Sequence, residues 1–387
     1  MSKELNYLSK GAVLLLLFCS AELSAQNSPN VVVTDSIETA FLPALSFKSD
    51  LGFLAGGMVQ RFHYAEKVKP FYSSSRIVAV ASTKGLASFL IEFDKPDAFN
   101  TNYRLTNSLI VSRFLQDNYF GIGSYEKIEN SFNASTNLYS FNSFTVGVYS
   151  ELRVPAYKTS KNQLDVLTFL NFDYETPWDN DSSSLISQQQ PIGFKGGRSV
   201  NLGLGLIWEN RNSEFRPTSG NFIESSFESG QNWWGSSYNS YAFKFDVRQY
   251  YTFNFIKNIT FANRLFTKQT FGDTPYWKLA YAGDEETLRG YPSKRFMDDN
   301  LILFNTELRT WLFNIDAVGG EFGGTLFFDV GRTYPNGESF DNIFNDLKYS
   351  YGLGGTSSFF TPDFILRCDV GFSEEGVGVY FTAGYMF

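Results

Sequence analysis

Between residues 241 and 255, apolar and polar side chains alternate one for one. The odd positions are Tyr241, Phe243, Phe245, Val247, Gln249, Tyr251, Phe253 and Phe255. The even positions are Ala242, Lys244, Asp246, Arg248, Tyr250, Thr252 and Asn254. A period of two belongs to a β-strand, which sends successive side chains to opposite faces. One face here is almost wholly apolar and the other carries charge. The same rhythm recurs along the chain and predicts sixteen strands, at 41–47, 53–63, 72–83, 86–93, 103–115, 140–151, 164–174, 200–209, 220–229, 238–254, 259–270, 301–313, 319–329, 348–358, 363–373 and 377–387. No helical domain, linker or tandem repeat interrupts them.

Two architectures present such alternation. A soluble sandwich hides the apolar face between its sheets, whereas a transmembrane barrel turns it outward to lipid. The end of the chain decides between them. Val377, Val379, Phe381, Ala383, Tyr385 and Phe387 alternate with smaller or more polar residues to the last position. Soluble domains seldom end on such a strand, because termini fray in water. Phe381, Tyr385 and the terminal Phe387 resemble the C-terminal signal of outer-membrane barrels. The fold expected is therefore all-β, a sixteen-stranded antiparallel transmembrane barrel. An even count returns both ends to the periplasmic side. The connections 116–139, 175–199, 271–300 and 330–347 then lie outside the cell, and they are the longest, as such barrels require. On the periplasmic side only 152–163 is longer than expected.

The N-terminus adds an export signal. Lys3 and Lys10 supply a positive region ahead of a short apolar core at 11–18, and Leu23-Ser24-Ala25 supplies small residues before a cut after Ala25. That core is too short to cross a bilayer, which takes about 20 residues. The expected organisation is a cleaved signal peptide at 1–25, a short periplasmic segment at 26–40 and a barrel at 41–387. A lipoprotein reading of Cys19 is disfavoured by the bulky Phe18 before it. Aromatic residues make up 18% of the chain, with 41 Phe and 22 Tyr, which suits a lipid face flanked by interfacial girdles.

Composition narrows the chemistry. The net charge of -8 argues against nucleic acid as a partner. With Cys19 removed with the signal peptide, Cys368 is the one remaining cysteine, which leaves no internal disulfide or cysteine cluster. His63 is the only histidine, so the usual metal sites are poorly supported and no metal or cofactor is expected. No G-x-S-x-G elbow accompanies His63, which argues against a hydrolase and for a non-enzyme. Asp284-Glu285-Glu286 and Asp298-Asp299 lack calcium-loop spacing and read as solvated loop. Trp233-Trp234, in an outer connection, reads as a girdle anchor. Cys368 shares the lipid-facing side of its strand with Leu366 and Val370 and is expected to be inert, while Arg367 and Asp369 face inward.

Four motifs in order carry a resemblance. Leu288-Arg289-Gly290-Tyr291 lies in the sixth outer loop. Asn305-Thr306-Glu307-Leu308-Arg309 and Phe327-Phe328-Asp329-Val330-Gly331 lie on the next two strands, and Arg216-Pro217-Thr218-Ser219-Gly220 lies in a periplasmic turn. Over about residues 200–387 the chain resembles the BamA/TamA-like bacterial surface-antigen family of outer-membrane assembly and translocation barrels. The residues support what the resemblance implies. Glu307 and Asp329 share the inward face of adjacent strands, where two acids need a cation. Arg289 can provide one through its planar fork, and Gly290 permits a tight turn beside it. Loop 6 is thus expected to fold into the barrel and be pinned by Arg289 to Asp329 and Glu307.

A seam is expected where the first and last strands meet. Pro43 lacks a ladder donor and suits an edge, although a proline is also tolerated at the start of a strand. Gly384 lies near the end of the last strand. Lateral opening there is what the resemblance implies. The family's periplasmic POTRA modules have no counterpart in 26–40, so a POTRA-less relative is expected, with substrate delivered by a separate periplasmic protein. The functional expectation is non-catalytic assistance of polypeptide insertion or translocation, among outer-membrane lipids, in a Gram-negative outer membrane. A passive pore, or a structural subunit of an outer-membrane complex, is the alternative.

Overall fold

The structure, a computed structural model, describes residues 36–65, 68–134, 138–315, 320–358 and 365–387. The expected signal peptide at 1–25, and 26–35 of the segment after it, lie outside the described residues. Sixteen strands form one closed antiparallel barrel. They are β1 (Ser36–Lys48), β2 (Gly52–Ala65), β3 (Val68–Ser82), β4 (Leu86–Ala98), β5 (Tyr103–Asn118), β6 (Ser140–Lys158), β7 (Gln163–Pro177), β8 (Gly197–Glu209), β9 (Gly220–Gly230), β10 (Ser240–Asn254), β11 (Asn258–Gly272), β14 (Asn300–Ile315), β15 (Gly320–Tyr334), β16 (Lys348–Ser358), β17 (Ile365–Ser373) and β18 (Gly376–Ala383). Two short strands, β12 (Ala280–Ala282) and β13 (Phe296–Asp298), form a separate ribbon within the sixth outer loop. That ribbon was not expected from sequence, because three-residue runs carry no measurable period. Among the described residues no helix is long and apolar enough to cross a membrane.

Alternation does what the pattern promised. Along β10, Ala242, Asp246 and Tyr250 are buried inside while Tyr241, Tyr251 and Phe253 are exposed outside. Along β8, Leu202, Leu204, Leu206 and Trp208 all point outward, and on β16 so do Tyr349, Tyr351 and Leu353. An apolar band of this extent is incompatible with water and fits a lipid surround. Among the described residues no Phe-lined layer separates two sheets. The packed core lies inside the barrel, where Ala280, Ala282, Leu288, Tyr291 and Phe296 of loop 6 meet Leu301 and Leu303 of the wall.

Three of the differences from the expected boundaries bear on the site. β1 starts at Ser36, five residues before the expected first strand. It pairs with β2 along its whole length, so Pro43 lies in the strand's interior, opposite Gly57. The long connection at 152–163 shrinks to 159–162, because β6 continues to Lys158 and β7 begins at Gln163. Pro155 masked this continuation. It has no amide to donate, and the ladder absorbs it with a register shift between Pro155 and Tyr157.

The third difference is at the C-terminus. The last strand ends at Ala383, not at Phe387. Gly384 adopts φ +80, open to glycine at little cost, and turns the chain into the barrel. Phe387 is 5% exposed and packs against Tyr250 and Ala262 on the inner wall. Tyr385 and Phe387 therefore lie inside and do not continue the lipid-facing row that their spacing implied.

Candidate functional site

Loop 6 connects β11 to β14, and its ribbon descends into the lumen. Ala280 pairs with Asp298 and Ala282 with Phe296. Both alanines have no exposed surface, so small side chains let the ribbon lie close to the wall. The ribbon's tip carries Leu288, Arg289, Gly290 and Tyr291, all buried.

Arg289 is completely enclosed. Its Nε and Nη2 donate to the two oxygens of Asp329 at 2.8 and 2.9 Å, a bidentate fork. Its Nη1 donates to Glu307 at 2.6 Å and to Asp369 at 3.1 Å. The guanidinium also lies over the Phe327 ring, 3.4 Å from its centre. The structure thus brings together Arg289, Glu307 and Asp329, which the sequence singled out, and adds Asp369. Ladder pairing explains the first two acids: Asn305 is level with Asp329, and Glu307 with Phe327. Arg309 donates to Glu307 at 2.7 Å, and Arg367 lies 3.1 Å from Asp369. Three carboxylates therefore face three guanidiniums in a site closed to water. Asp369 and Arg367 were legible as inward-facing, but nothing in the one-dimensional pattern tied them to the loop.

Gly290 is required twice over. Its φ is +88, and a Cβ there would meet the backbone of Gly371 on β17 at about 3.0 Å. Its amide donates to the Tyr380 hydroxyl at 3.0 Å, its carbonyl accepts from Ser373 at 2.6 Å, and Tyr380 donates onward to the Tyr291 carbonyl at 3.2 Å. Tyr380, on β18, escaped sequence reasoning.

A second arginine of loop 6 escaped it too. Arg295 has no exposed surface and grips Glu375, in the β17–β18 turn, at 2.7 and 2.6 Å. It also donates to the carbonyls of Ser124 and Glu126 in the third outer loop. Above the clamp, Tyr119, Phe141 and Tyr276 pack edge to face on one another and cluster with Ile186, Leu279 and Met297, filling the outer part of the lumen.

The two edges of the barrel meet only briefly. Among the described residues, β1 and β18 share one register pair, Lys48 with Tyr380. Ser49 extends it, with its amide to the Val379 carbonyl at 3.1 Å and its hydroxyl accepting from the Val379 amide at 2.8 Å. Ser46 Oγ donates to the Phe381 carbonyl. Over 36–47 no ladder pair joins β1 to β18. Pro43 lies on this free stretch, and Gly384 lies where the tail leaves it. The inward tail is held by Arg309, whose Nη2 donates to the Phe387 carbonyl at 3.0 Å and whose plane lies 4.1 Å from the Tyr385 ring centre.

Other singled-out residues are placed plainly. His63 meets the edge of Tyr72 at 4.9 Å. Trp233 is exposed and tilted against Trp234. Cys368 faces outward. Asp284 accepts from the Glu286 amide and the Thr287 hydroxyl, both at 2.9 Å, while Glu285 pairs with Lys48. In the turn after β1, burial pushes the Asp50 carboxyl up to about 7. The Ser293 amide opposes the rise by donating to it at 2.6 Å, Glu285 adds to it, and Lys84 and Lys48 oppose it. Among the described residues no cluster of His, Cys, Asp or Glu is disposed to hold a metal ion.

Comparison with known proteins agrees with the barrel fold. The barrel superposes on BamA from Haemophilus ducreyi lacking POTRA domains 1–3 with a TM-score of 0.58 at 14% identity, covering 91% of this chain and 70% of that one. CdiB from Acinetobacter baumannii gives 0.57 at 11% identity, covering 91% of this chain and 65% of that one. CdiB from Escherichia coli gives 0.57 at 10% identity, covering 93% and 63%. At such identities the likeness is one of fold, and this chain spans about two thirds of the length of those structures. No curated protein matches the chain. The Omp85 superfamily domain matches residues 77–387, from β3 to the last residue. The chain belongs to the Omp85 superfamily.

Proposed function

We propose that this barrel assists insertion or translocation of polypeptides at the outer membrane of a Gram-negative bacterium, without catalysis, through the seam between β1 and β18. The observation that carries this reading is the free edge of β1. Residues 36–47 are paired on the β2 side and have no ladder partner on the β18 side. Such an edge is a template for strand addition by an extended chain. The loop 6 clamp, in which Arg289 holds Glu307, Asp329 and Asp369, keeps the lumen filled and the adjoining wall fixed while the edge is used. Export by the signal peptide at 1–25 and delivery of clients by a separate periplasmic protein belong to the same reading.

The test is a reversible lock. Ser46→Cys with Thr382→Cys, in a Cys368→Ser background, joins the seam at two inward-facing positions that the Lys48–Tyr380 register places level with one another. Depleting the wild-type protein is expected to lower a set of proteins in the outer-membrane proteome. The locked form is expected to leave them low, and reduction to restore them. Full recovery by the oxidised barrel would rule out a lateral route. A passive pore is the second reading, and the aromatic packing above the clamp disfavours it. Steady single-channel conductance of the purified barrel in a planar bilayer would favour the pore. A structural subunit would instead co-purify with fixed neighbours in mild detergent.

A further inference from the structure

The two residues that form the one seam pair among the described residues are each bonded to loop 6. Lys48 of β1 pairs with Glu285. Tyr380 of β18 accepts from the Gly290 amide at 3.0 Å and donates to the Tyr291 carbonyl at 3.2 Å. Each contact has a second beside it. The turn after β1 is held by Asp50, which accepts from the Ser293 amide at 2.6 Å. The turn before β18 is held by Glu375, gripped by Arg295 at 2.6 and 2.7 Å. Glu375 is 2% exposed and Tyr380 1%. The third outer loop covers this turn as well: the Ile128 amide donates to Glu375 at 3.0 Å and the Ser131 amide to its carbonyl at 3.3 Å. Of these contacts the Arg295–Glu375 pair is both buried and charge-assisted, and such a pair is expensive to break one partner at a time.

Toward the periplasm the arrangement is the reverse. Residues 36–47 have no ladder to β18, and the tail beyond Ala383 turns away from them into the lumen. One end of the seam is tied through a third element to both of its edges. At the other end no loop among the described residues joins the two edges, and Arg309 of β14 holds the tail of β18 away from β1.

We propose that loop 6 is the hinge of the seam: it staples the outer ends of β1 and β18 to one another, so that the strands part from the periplasmic end only. This rests on the reading that the seam opens, and it adds where and in which direction. It also gives loop 6 a task besides filling the lumen. Arg289 fixes the loop to β14, β15 and β17, and Lys48, Asp50, Tyr380 and Glu375 then hang both edges from it. A chain arriving from the periplasm would meet the free stretch of β1 first and stop at the staple.

Spin-label distances in the whole barrel, reconstituted in vesicles of outer-membrane lipid extract and in a Cys368→Ser background, test this without any client. One label pair, at Leu51 and Glu374, spans the outer end. A second, at Glu38 and Ala383, spans the periplasmic end. The outer distribution is expected to be narrow and the periplasmic one broad. Arg295→Gln combined with Lys48→Met is expected to broaden the outer distribution toward the periplasmic one. Lys48→Met alone, which leaves the buried Arg295–Glu375 pair intact, is expected to do so partially and guards against misfolding. An outer distribution unchanged in both variants overturns the hinge, as does an intact barrel whose periplasmic pair is as narrow as its outer pair. Since no polypeptide substrate is present, these distances judge the hinge alone, and the locked-seam experiment judges the function.

Discussion

Replacing Arg289 by Met keeps the reach of the side chain and removes its charge. Four hydrogen bonds vanish: two to Asp329, one to Glu307 and one to Asp369, at 2.6–3.1 Å. Glu307 keeps Arg309 at 2.7 Å and Asp369 keeps Arg367 at 3.1 Å. Asp329 is the stranded group, left with no cation and with only the Asn305 side-chain amide at 2.9 Å and the backbone amide of residue 289 at 3.4 Å. Breaking a buried ion pair by removing one partner costs about 3–5 kcal/mol, because a charge remains without compensation. At about 1.4 kcal/mol per factor of ten, the undocked population of loop 6 rises by roughly two to three and a half powers of ten. Limited trypsin digestion of barrels in vesicles reads this directly, at Lys294 and Arg295, since slow cleavage tracks the open population. A second variant separates charge from shape. Arg289→Met with Asp329→Leu leaves Glu307 and Asp369 facing Arg309 and Arg367, two against two, and is expected to recover most of the protection. Arg289→Lys is expected to fall between, because an ammonium lacks the fork that serves two carboxylates at once. Cleavage of the single variant at the wild-type rate, or a double variant no better protected than the single, would refute the charge argument.

Three further outcomes follow from the same geometry. Asp50 holds its proton up to about pH 7 in the folded barrel against 3.8 for a free carboxyl, so docking of loop 6 on this turn is strongest below pH 3.8 and weakens as pH climbs toward 7; protease protection of 283–295 should fall from about pH 4 to about pH 7 and level off above that in the wild type, and stay flat in Asp50→Asn, and a slope that persists in the variant assigns the effect elsewhere. Gly384→Val meets no side chain but strains a φ of +80 by roughly 1–2 kcal/mol; a cysteine pair at positions 43 and 385, level with one another if the β1–β18 ladder continued, should then cross-link several-fold faster than with Gly384 in place, and equal rates would mean the tail does not swing outward. Cys368, outward and level with Phe381, should resist a charged thiol reagent and accept a lipid-soluble one in intact membranes; equal labelling by both would place it in water.

The fold was legible because a barrel writes its topology into a local code. Each strand's inner and outer faces can be read from its own residues, and parity of the strand count assigns every loop to a side. The code failed where a residue breaks the ladder without ending it, as at Pro155, and where spacing is kept but the backbone turns, as at Gly384. The clamp was half legible. Glu307 and Asp329 were found because both lie on the inner faces of consecutive strands, within reach of one loop. Asp369 and Tyr380 lie two and three strands further round, and their approach to Arg289 and Gly290 depends on the curvature of the wall. Curvature is a property of the closed sheet and leaves no trace in periodicity. Arg295 and Glu375 illustrate the same limit, since a buried pair between two loops has no period at all.

The single register pair at the seam also bears on how the barrel comes into being. Nearly every other ladder joins strands adjacent in the chain, so hairpins can form and stack one after another. Closure instead brings together groups such as Ser46 and Phe381, 335 positions apart. For a flexible chain that would cost on the order of 5 kcal/mol in conformational freedom beyond a constant term, more than the few bonds of the seam return. Rolling up must therefore be driven from within, by the curl of the finished sheet and by the settling of an ionic knot at its centre. On this view the last event of biogenesis is the capture of loop 6, and the joining of the two edges is its by-product.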